Sequence, residues 1–275
     1  MFWTMIVLCV LAAGLAGVIQ TTSLARAFHT RTADAMAAPL EPAAVLTEAD
    51  IAHLPPPVQR YIALTGSLGR PVVTEIRLRF DATMYDAPGA AGMSGPVVHY
   101  ERFDIPRRLF FMTARMKGLP VAVLHDFNHD NATMRVRLAG LVNVVDVGGP
   151  ELTRTETVTI LNDLCFLAPS RLVDPRLTWT AIDDTRARVI FALGPNTVSA
   201  ELIFNAAGEL VDFVSDNRGM LEKDGTLRIL RWATPQSNYR DFGGWRVASE
   251  GDAIWHMPDG PFTYGHMQLV AYEAR

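Results

Sequence analysis

The sequence has few cysteines and no run of basic residues. Only two of its 275 residues are cysteine, Cys9 in the N-terminal apolar run and Cys165 in a helical pattern, so an intramolecular disulfide is implausible. The net charge is −4, and the basic residues are scattered along the chain. Proteins that bind nucleic acid usually concentrate positive charge on one surface. We therefore expect no nucleic-acid partner.

The local motifs of common enzyme classes are also missing. We find no Gly-x-Ser-x-Gly elbow, phosphate-binding Gly-Lys-Ser/Thr loop, dinucleotide fingerprint, His-Glu-x-x-His pair or Cys-x-x-Cys pair. From the sequence we accordingly assign no catalytic residue, no cofactor and no metal. These absences lower the probability of an enzyme without excluding one, because many active sites leave no local motif.

An uncharged apolar run from Phe2 to Ile19 is close to the length of a membrane-spanning helix. We predict a transmembrane anchor or signal segment over residues 1–27. Ala25-Arg26-Ala27 fits a signal-peptidase site, but no basic residue precedes the run, which favours an uncleaved single-pass anchor. Arg26 and Arg31 follow the run and only weakly favour a cytoplasmic domain. The predicted location is a membrane, with the globular part either periplasmic or cytoplasmic.

The rest of the chain divides into a linker and one domain. Residues 28–53 are rich in Ala and Pro, which is typical of a linker, and residues 54–275 are predicted to form a single β-rich globular domain. Apolar and polar residues alternate in thirteen short segments, with turn residues between them. The segments are 73–84, 97–103, 109–116, 121–127, 132–138, 177–182, 186–193, 197–204, 210–216, 226–233, 245–250, 253–257 and 263–272.

One long helical pattern interrupts these strands, between Gly148 and Pro169. Pro150 suits a first helical turn and Pro169 cannot continue the pattern, so we predict a helix over about Glu151–Ala168. Its apolar residues recur at three- and four-residue spacing and need a covering sheet. The predicted fold class is α+β, mainly antiparallel β: a strongly curled sheet or half-barrel with this helix packed on it, plus the N-terminal transmembrane helix.

Several charged and aromatic residues are candidates for a binding site. Glu156 and Asp163 lie about two turns apart on a similar helix face, where they could bracket a substrate or pair with arginines of the sheet. Tryptophan and tyrosine often line ligand cavities, although core packing is the more common role. The candidate ligand-binding residues are Arg135, Arg137, Glu156, Asp163, Arg231, Trp232, Tyr239 and Trp255.

The pattern His125-Asp126-x-x-His129 is weak as a metal site. In an extended strand the two histidines would be about 13 Å apart, which is too far for ligands of one zinc ion. We interpret it as part of a turn.

Six short segments keep a characteristic order along the chain: Met116–Val121, Arg137–Leu141, Gly149–Glu151, Glu156–Val158, Leu161–Cys165 and Arg231–Pro235. Together they resemble an uncharacterised bacterial family of membrane-anchored domains of unknown function. The resemblance covers Leu54 to the C-terminus and implies no particular activity. The architecture is similar, by analogy, to lipoprotein-carrier half-barrels, whose apolar concavity binds acyl chains.

The leading hypothesis is a non-enzymatic, membrane-tethered domain that binds a lipid or another hydrophobic small molecule inside its curled sheet. One alternative is a hydrolase or isomerase that uses Glu156 or Asp163 together with an arginine. A second alternative is an envelope scaffold that binds protein through an exposed sheet edge.

Overall fold

Fourteen strands and one internal helix make up most of the molecule in the computed structural model, which describes residues 2–40 and 42–275. The helices are α1 (Phe2–Ala37), α2 (Glu48–Ile51), α3 (Pro56–Leu64) and α4 (Pro150–Leu167), with a short 3-10 helix at Pro169–Val173. The strands are β1 (Glu75–Met84), β2 (Met93–Arg102), β3 (Arg107–Met116), β4 (Leu119–Asn128), β5 (Asn131–Leu138), β6 (Val142–Gly148), β7 (Leu177–Asp183), β8 (Arg186–Leu193), β9 (Asn196–Phe204), β10 (Leu210–Leu221), β11 (Leu227–Ala233), β12 (Gln236–Phe242), β13 (Trp245–Met257) and β14 (Gly260–Ala274).

All the described strands belong to one antiparallel sheet. Its order is β6-β5-β4-β3-β2-β1-β14-β13-β11-β10-β9-β8-β7, and β12 pairs with β13 beside this path. Two meanders, β1–β6 and β7–β11, are therefore joined side by side through β14 and β13. The central seam is the pairing of β1 with β14, from Ile76 opposite Ala274 to Met84 opposite Gly265.

Helix α4 shows that the sheet is curled. It packs against β5 and β6 on one side and against β9 and β10 on the other, although these strands are far apart in the sheet order. Thr153 Oγ1 accepts a hydrogen bond from the amide of Ala132 on β5, and Thr155 Oγ1 accepts one from the amide of Gly219 on β10. The predicted curled antiparallel sheet with one main helix is confirmed.

The helix itself is less amphipathic than predicted. The regularly spaced apolar residues of the helix are buried, but so are the polar residues between them, including Thr153, Glu156 and Asp163. The exposed residues of α4 are Pro150, Glu151 and Arg154, at the start of the helix. Sheet surrounds α4 on most sides, so the helix fills the inside of the curl.

The strands differ from the predicted set in three places. Strands β6 and β12 were not predicted, because β6 lacks a regular alternation and β12 is mostly polar. Gly251 and Asp252 were predicted to be a turn but lie inside β13, which joins two predicted strands. There Gly251 pairs with Gln236 of β12 and with Met267 of β14, and the amide group of Gln236 lies over the glycine.

The N-terminal helix requires a correction. Within residues 2–40 and 42–275, no helix combines the length and the apolar character needed to cross a bilayer, so the predicted transmembrane helix and membrane anchoring are not found. Helix α1 continues to Ala37, and its Leu24 and Phe28 are buried against Phe111 and Leu124 on the convex side of the sheet.

Part of the proposed linker contacts the domain. Residues 28–37 are helical, Val45 forms a β-bridge with Pro71, and Leu46 and Ile51 are buried in the main core. The division of the chain at residue 54 stays a prediction.

Candidate functional site

Charged side chains lie on the concave side of the sheet, beneath α4. Directly opposed residues of antiparallel strands share a face, and alternate residues of one strand do too. In one cross-strand row, Ile76 of β1 is opposite Glu101 of β2, which is opposite Arg108 of β3. This row therefore contains one apolar and two charged residues. The neighbouring row contains Leu78, His99, Phe110 and His125.

Arg108 is the centre of this group. Its Nε donates a 2.6 Å hydrogen bond to Asp163 Oδ2 on α4, and its Nη1 lies 3.7 Å from Glu156 Oε2. Asp163 follows Glu156 by two helical turns, so one guanidinium reaches both carboxylates. Arg108 also lies 5.5 Å from the centre of the Phe110 ring. All three charged side chains are buried, so these ion pairs are shielded from solvent.

A second arginine contacts Glu156 from the other half of the sheet. Arg218 Nη2 on β10 lies 3.6 Å from Glu156 Oε1 and donates a hydrogen bond to Thr159 Oγ1 on α4. Its guanidinium stacks over Trp232 at 4.3 Å and lies 5.3 Å from the Trp255 ring. Planar guanidinium groups favour this combination of carboxylate and aromatic partners. Glu156 is therefore held between arginines from both meanders.

A histidine and two carboxylates form the other side of the group. His99 Nε2 lies 3.2 Å from Glu101 Oε2 and 3.8 Å from Asp163 Oδ2. Glu101 is fully buried, and its second oxygen has no hydrogen-bond partner among the residues that the structure describes. An ionised carboxylate in such a position is costly without a compensating charge.

The surroundings shift the pKa values of these groups in different directions. Burial acts to raise the pKa of Glu156, but His125, Arg218 and Arg108 outweigh it and hold this pKa at about 2. Burial and then the nearby Asp163 raise the pKa of Glu101 well above its usual range. Burial, followed by the charge of Arg108, lowers the pKa of His99 well below its usual value. At neutral pH, Glu156 is thus ionised and His99 is neutral.

Four of the predicted ligand-binding residues lie in or beside this group. Glu156 and Asp163 provide two of its carboxylates. Trp232 and Trp255 pack against Arg218, and the Trp232 indole donates a hydrogen bond to the Tyr264 hydroxyl at 3.1 Å. The structure therefore brings these side chains together around α4.

The other four predicted residues lie elsewhere. Arg135 and Arg137 are on the convex side of β5, since the alternating residues Met134 and Val136 pack against the core. Arg231 is exposed and pairs with the exposed Asp216 at 3.5 Å. Tyr239 packs against Tyr61, whose hydroxyl donates to the Cys165 carbonyl of α4, and its own hydroxyl donates to the Leu210 carbonyl.

The arginines that bind the helix carboxylates are thus Arg108 and Arg218, rather than Arg135, Arg137 or Arg231. Alternation in the sequence could have identified some of the missed residues. His99 and Glu101 lie on the same face of β2 as the buried Val97, because they follow it by two and four residues. Arg108 lies on the same face of β3 as Phe110 and Met112 for the same reason. Charged residues at apolar positions of a strand need partners inside the domain.

The His125-Asp126-x-x-His129 pattern does not form one site. His125 faces Glu156, with its Nδ1 3.8 Å from Glu156 Oε2. Asp126 is on the opposite face, where it pairs with Arg31 of α1 and Arg107 of β3. His129 is in the β4–β5 turn with a φ of 57°.

Methionines line the end of the concave face that is farthest from the charged group. Met84 on β1 is opposite Met93 on β2, and Met116 is at the same level on β3, one residue beyond the Ser94–Arg115 pair. All three are half-buried and pack against the main core. We call Met84, Met93 and Met116 the methionine surface.

The clefts that we describe lie on the outside of the domain. One of about 530 Å3 separates the end of α1 from the convex side of β3–β5 and is lined by Arg31, Arg107 and Arg135. Another, of about 470 Å3, lies beside the β1–β2 and β13–β14 loops, between Tyr85 and Phe262. The concave interior is packed with side chains such as Val97 and Met112.

A curled antiparallel sheet that encloses one helix defines the half-barrel class of proteins. The chain belongs to a family of unknown function, DUF6544, whose model matches residues 44–267. This confirms the resemblance to an uncharacterised family. No curated protein gives a significant match to the sequence.

Two solved structures have a similar architecture. A LolA superfamily protein from Nitrosomonas europaea has a TM-score of 0.44 and 10% identity, with 79% of this chain and 93% of that chain covered. A putative outer membrane lipoprotein-sorting protein domain from Vibrio parahaemolyticus has a TM-score of 0.42 and 9% identity, with coverages of 74% and 86%. At this level the likeness concerns the fold alone.

Proposed function

We propose that this protein binds a hydrophobic small molecule, such as a lipid acyl chain, at the methionine surface of its curled sheet. The supporting observation is the row of half-buried methionines across β1, β2 and β3. β-branched and aromatic residues usually fill such strand positions. Methionine is unbranched and polarizable, and it adapts to irregular apolar partners, which explains its frequent use on binding surfaces.

The position of the surface suits an entry point. Met84 is eight residues along β1 from Ile76, about 26 Å from the row that contains the charged group. Helix α4 seals the region around that group through hydrogen bonds to β5 and β10. The methionines are instead only half-buried, so part of each side chain faces solvent. A ligand could displace these flexible side chains without breaking the buried ion pairs.

The charged group has a structural role in this proposal. Its arginines join α4 to β3 and β10, and so keep the two meanders in place around the helix. A hydrolase or isomerase that uses Glu156 or Asp163 would need these carboxylates to open onto a substrate pocket. In the structure both carboxylates are buried in ion pairs. The enzyme and scaffold alternatives remain predictions.

Binding can be tested with the fluorescent fatty acid cis-parinaric acid added to the purified full-length protein. We expect saturable binding. Met93→Glu should weaken it at least about tenfold, because the new carboxylate must be desolvated beside the acyl chain. Met36→Glu is a matched control, since Met36 is 41% exposed on α1, away from the concave face.

Lipid extraction and native mass spectrometry of the wild-type protein provide an independent measurement. A co-purifying hydrophobic molecule that is lost in Met93→Glu would support the proposal. Failure of the wild-type protein to bind the probe, or equal weakening by Met93→Glu and Met36→Glu, would overturn it. Circular dichroism of each variant separates loss of binding from loss of folding.

A further inference from the structure

Three buried side chains offer metal-ligand atoms at one point beneath α4. They are His99, Glu101 and Asp163, and their ligand atoms all lie within 4.8 Å of one another. His99 Nε2 is 3.2 Å from the Glu101 oxygen and 3.8 Å from the Asp163 oxygen. Ligands about 2.1 Å from a tetrahedral ion are about 3.4 Å apart, so these separations are close to those of a zinc site.

The charges of the buried group leave room for a cation. Glu101, Glu156 and Asp163 contribute three negative charges when ionised, whereas Arg108 and Arg218 contribute two positive charges. The carboxylates of this group therefore outnumber its arginines by one. A buried excess charge has to be neutralised by a proton or by a bound cation.

The unpaired oxygen of Glu101 is an independent observation. Glu101 has no exposed surface, and its Oε1 lacks a hydrogen-bond partner among the residues described in the structure. Buried carboxylate oxygens normally accept hydrogen bonds or bind metals, because leaving them unsatisfied is costly. The free oxygen belongs to a carboxylate that already faces His99 and Asp163.

Neighbouring residues hold the ligands in position. The His99 ring lies between Phe80 and Phe110, with ring centres 6.3 and 6.2 Å away, which restricts the direction of its Nε2. Asp163 Oδ2 accepts a 2.6 Å hydrogen bond from Arg108 Nε. Metal-binding carboxylates commonly have such hydrogen-bond support.

We propose that His99, Glu101 and Asp163 bind one divalent transition-metal ion, for which zinc is the best match. One imidazole nitrogen and two carboxylate oxygens are suitable zinc ligands, and three protein ligands leave a fourth coordination position open. The ion would tie β2 to α4, because Glu101 and Asp163 come from these two elements.

The test measures metal in the full-length protein, produced without a polyhistidine tag in medium with added zinc. Elemental analysis should find about one zinc per chain in the wild type. In Glu101→Gln, which keeps the side-chain shape, we expect less than a tenth of the wild-type zinc content. His266→Ala is the matched control, because it removes an exposed histidine that pairs with Asp252 and should not change the zinc content.

A second readout is thermal unfolding of chelator-treated protein. Zinc at about 100 times its Kd should raise the wild-type Tm by about 5 °C or more and leave Glu101→Gln unchanged. If Glu101→Gln does not fold, His99→Gln replaces it. A zinc-free wild type whose Tm does not respond to zinc would overturn the proposal. Wild-type zinc content in Glu101→Gln would overturn it too, as would loss of zinc in His266→Ala.

Discussion

Replacement of Arg108 tests whether the charged group beneath α4 is sealed from solvent. Arg108→Met keeps a long side chain but removes the positive charge that faces Asp163 and Glu156. Breaking a buried ion pair from one side usually costs about 3 to 5 kcal/mol, since the remaining charge has no partner. Typical domains have only about 5 to 15 kcal/mol of stability. We therefore expect loss of about a fifth or more of the free energy of unfolding.

The assay is equilibrium unfolding in guanidinium chloride, followed by tryptophan fluorescence. The Arg108→Met midpoint should fall sharply with an unchanged m-value, and the Tm should fall by about 10 °C. Arg186→Met is the control, because Arg186 forms exposed pairs with Asp183 and Glu201. Exposed pairs contribute little, so its midpoint should stay near the wild-type value.

The pH dependence sharpens this prediction. Without Arg108, Asp163 loses its guanidinium partner and Glu156 keeps that of Arg218 alone, so both buried carboxylates take up protons more readily. The stability difference between wild type and Arg108→Met should therefore shrink from pH 7 to pH 4. Equal midpoints for Arg108→Met and Arg186→Met at pH 7 would refute the reasoning and show that solvent reaches the group.

Three further predictions concern single positions. Leu161→Asp should cost about 4 kcal/mol or more, because the side chain is fully buried, whereas Arg154→Ala on the exposed first part of α4 should have little effect on Tm. Gly95→Ala should cost more than about 3 kcal/mol, since its Cβ would lie 1.9 Å from the Thr113 carbonyl oxygen; Gly14→Ala has nothing within 4 Å and should leave the denaturant midpoint unchanged or slightly higher. The pKa of Glu156 falls from 4.5 to about 2 on folding, so about 3 kcal/mol of stability should be present above pH 5 and be lost as the pH falls towards 2. In Glu156→Gln, urea unfolding should show a flatter pH profile over that range.

Much of the sheet could be predicted from local patterns. Alternation identified most of the strands because one face of each is buried, and prolines at both ends fixed α4 to within one residue. Strand β6 was missed because two adjacent valines, Val144 and Val145, interrupt its alternation. Gly251 and Asp252 were wrongly predicted to be a turn, because their pairing with β12 and β14 is a long-range contact that the local pattern does not contain.

The charged group depends on contacts that a local pattern does not contain. Glu156 and Asp163 were candidates because helical spacing places them on one face. Their partners Arg108 and Arg218 come from β3 and β10, and cross-strand register decides which arginines reach the helix. Arg135 and Arg137 of β5 were also plausible partners for the helix carboxylates, but both point to the convex side of the sheet, away from α4.

The seam between β1 and β14 has a consequence for synthesis of the protein. Strands β2–β6 can form successive hairpins soon after they leave the ribosome, because each pairs with its neighbour in the chain. The other edge of β1 must wait for β14, which is translated much later. Until then, a row of free amides and carbonyls on β1 is open to pairing with other nascent chains. Chaperones that shield this edge during translation should therefore increase the yield of correctly folded protein.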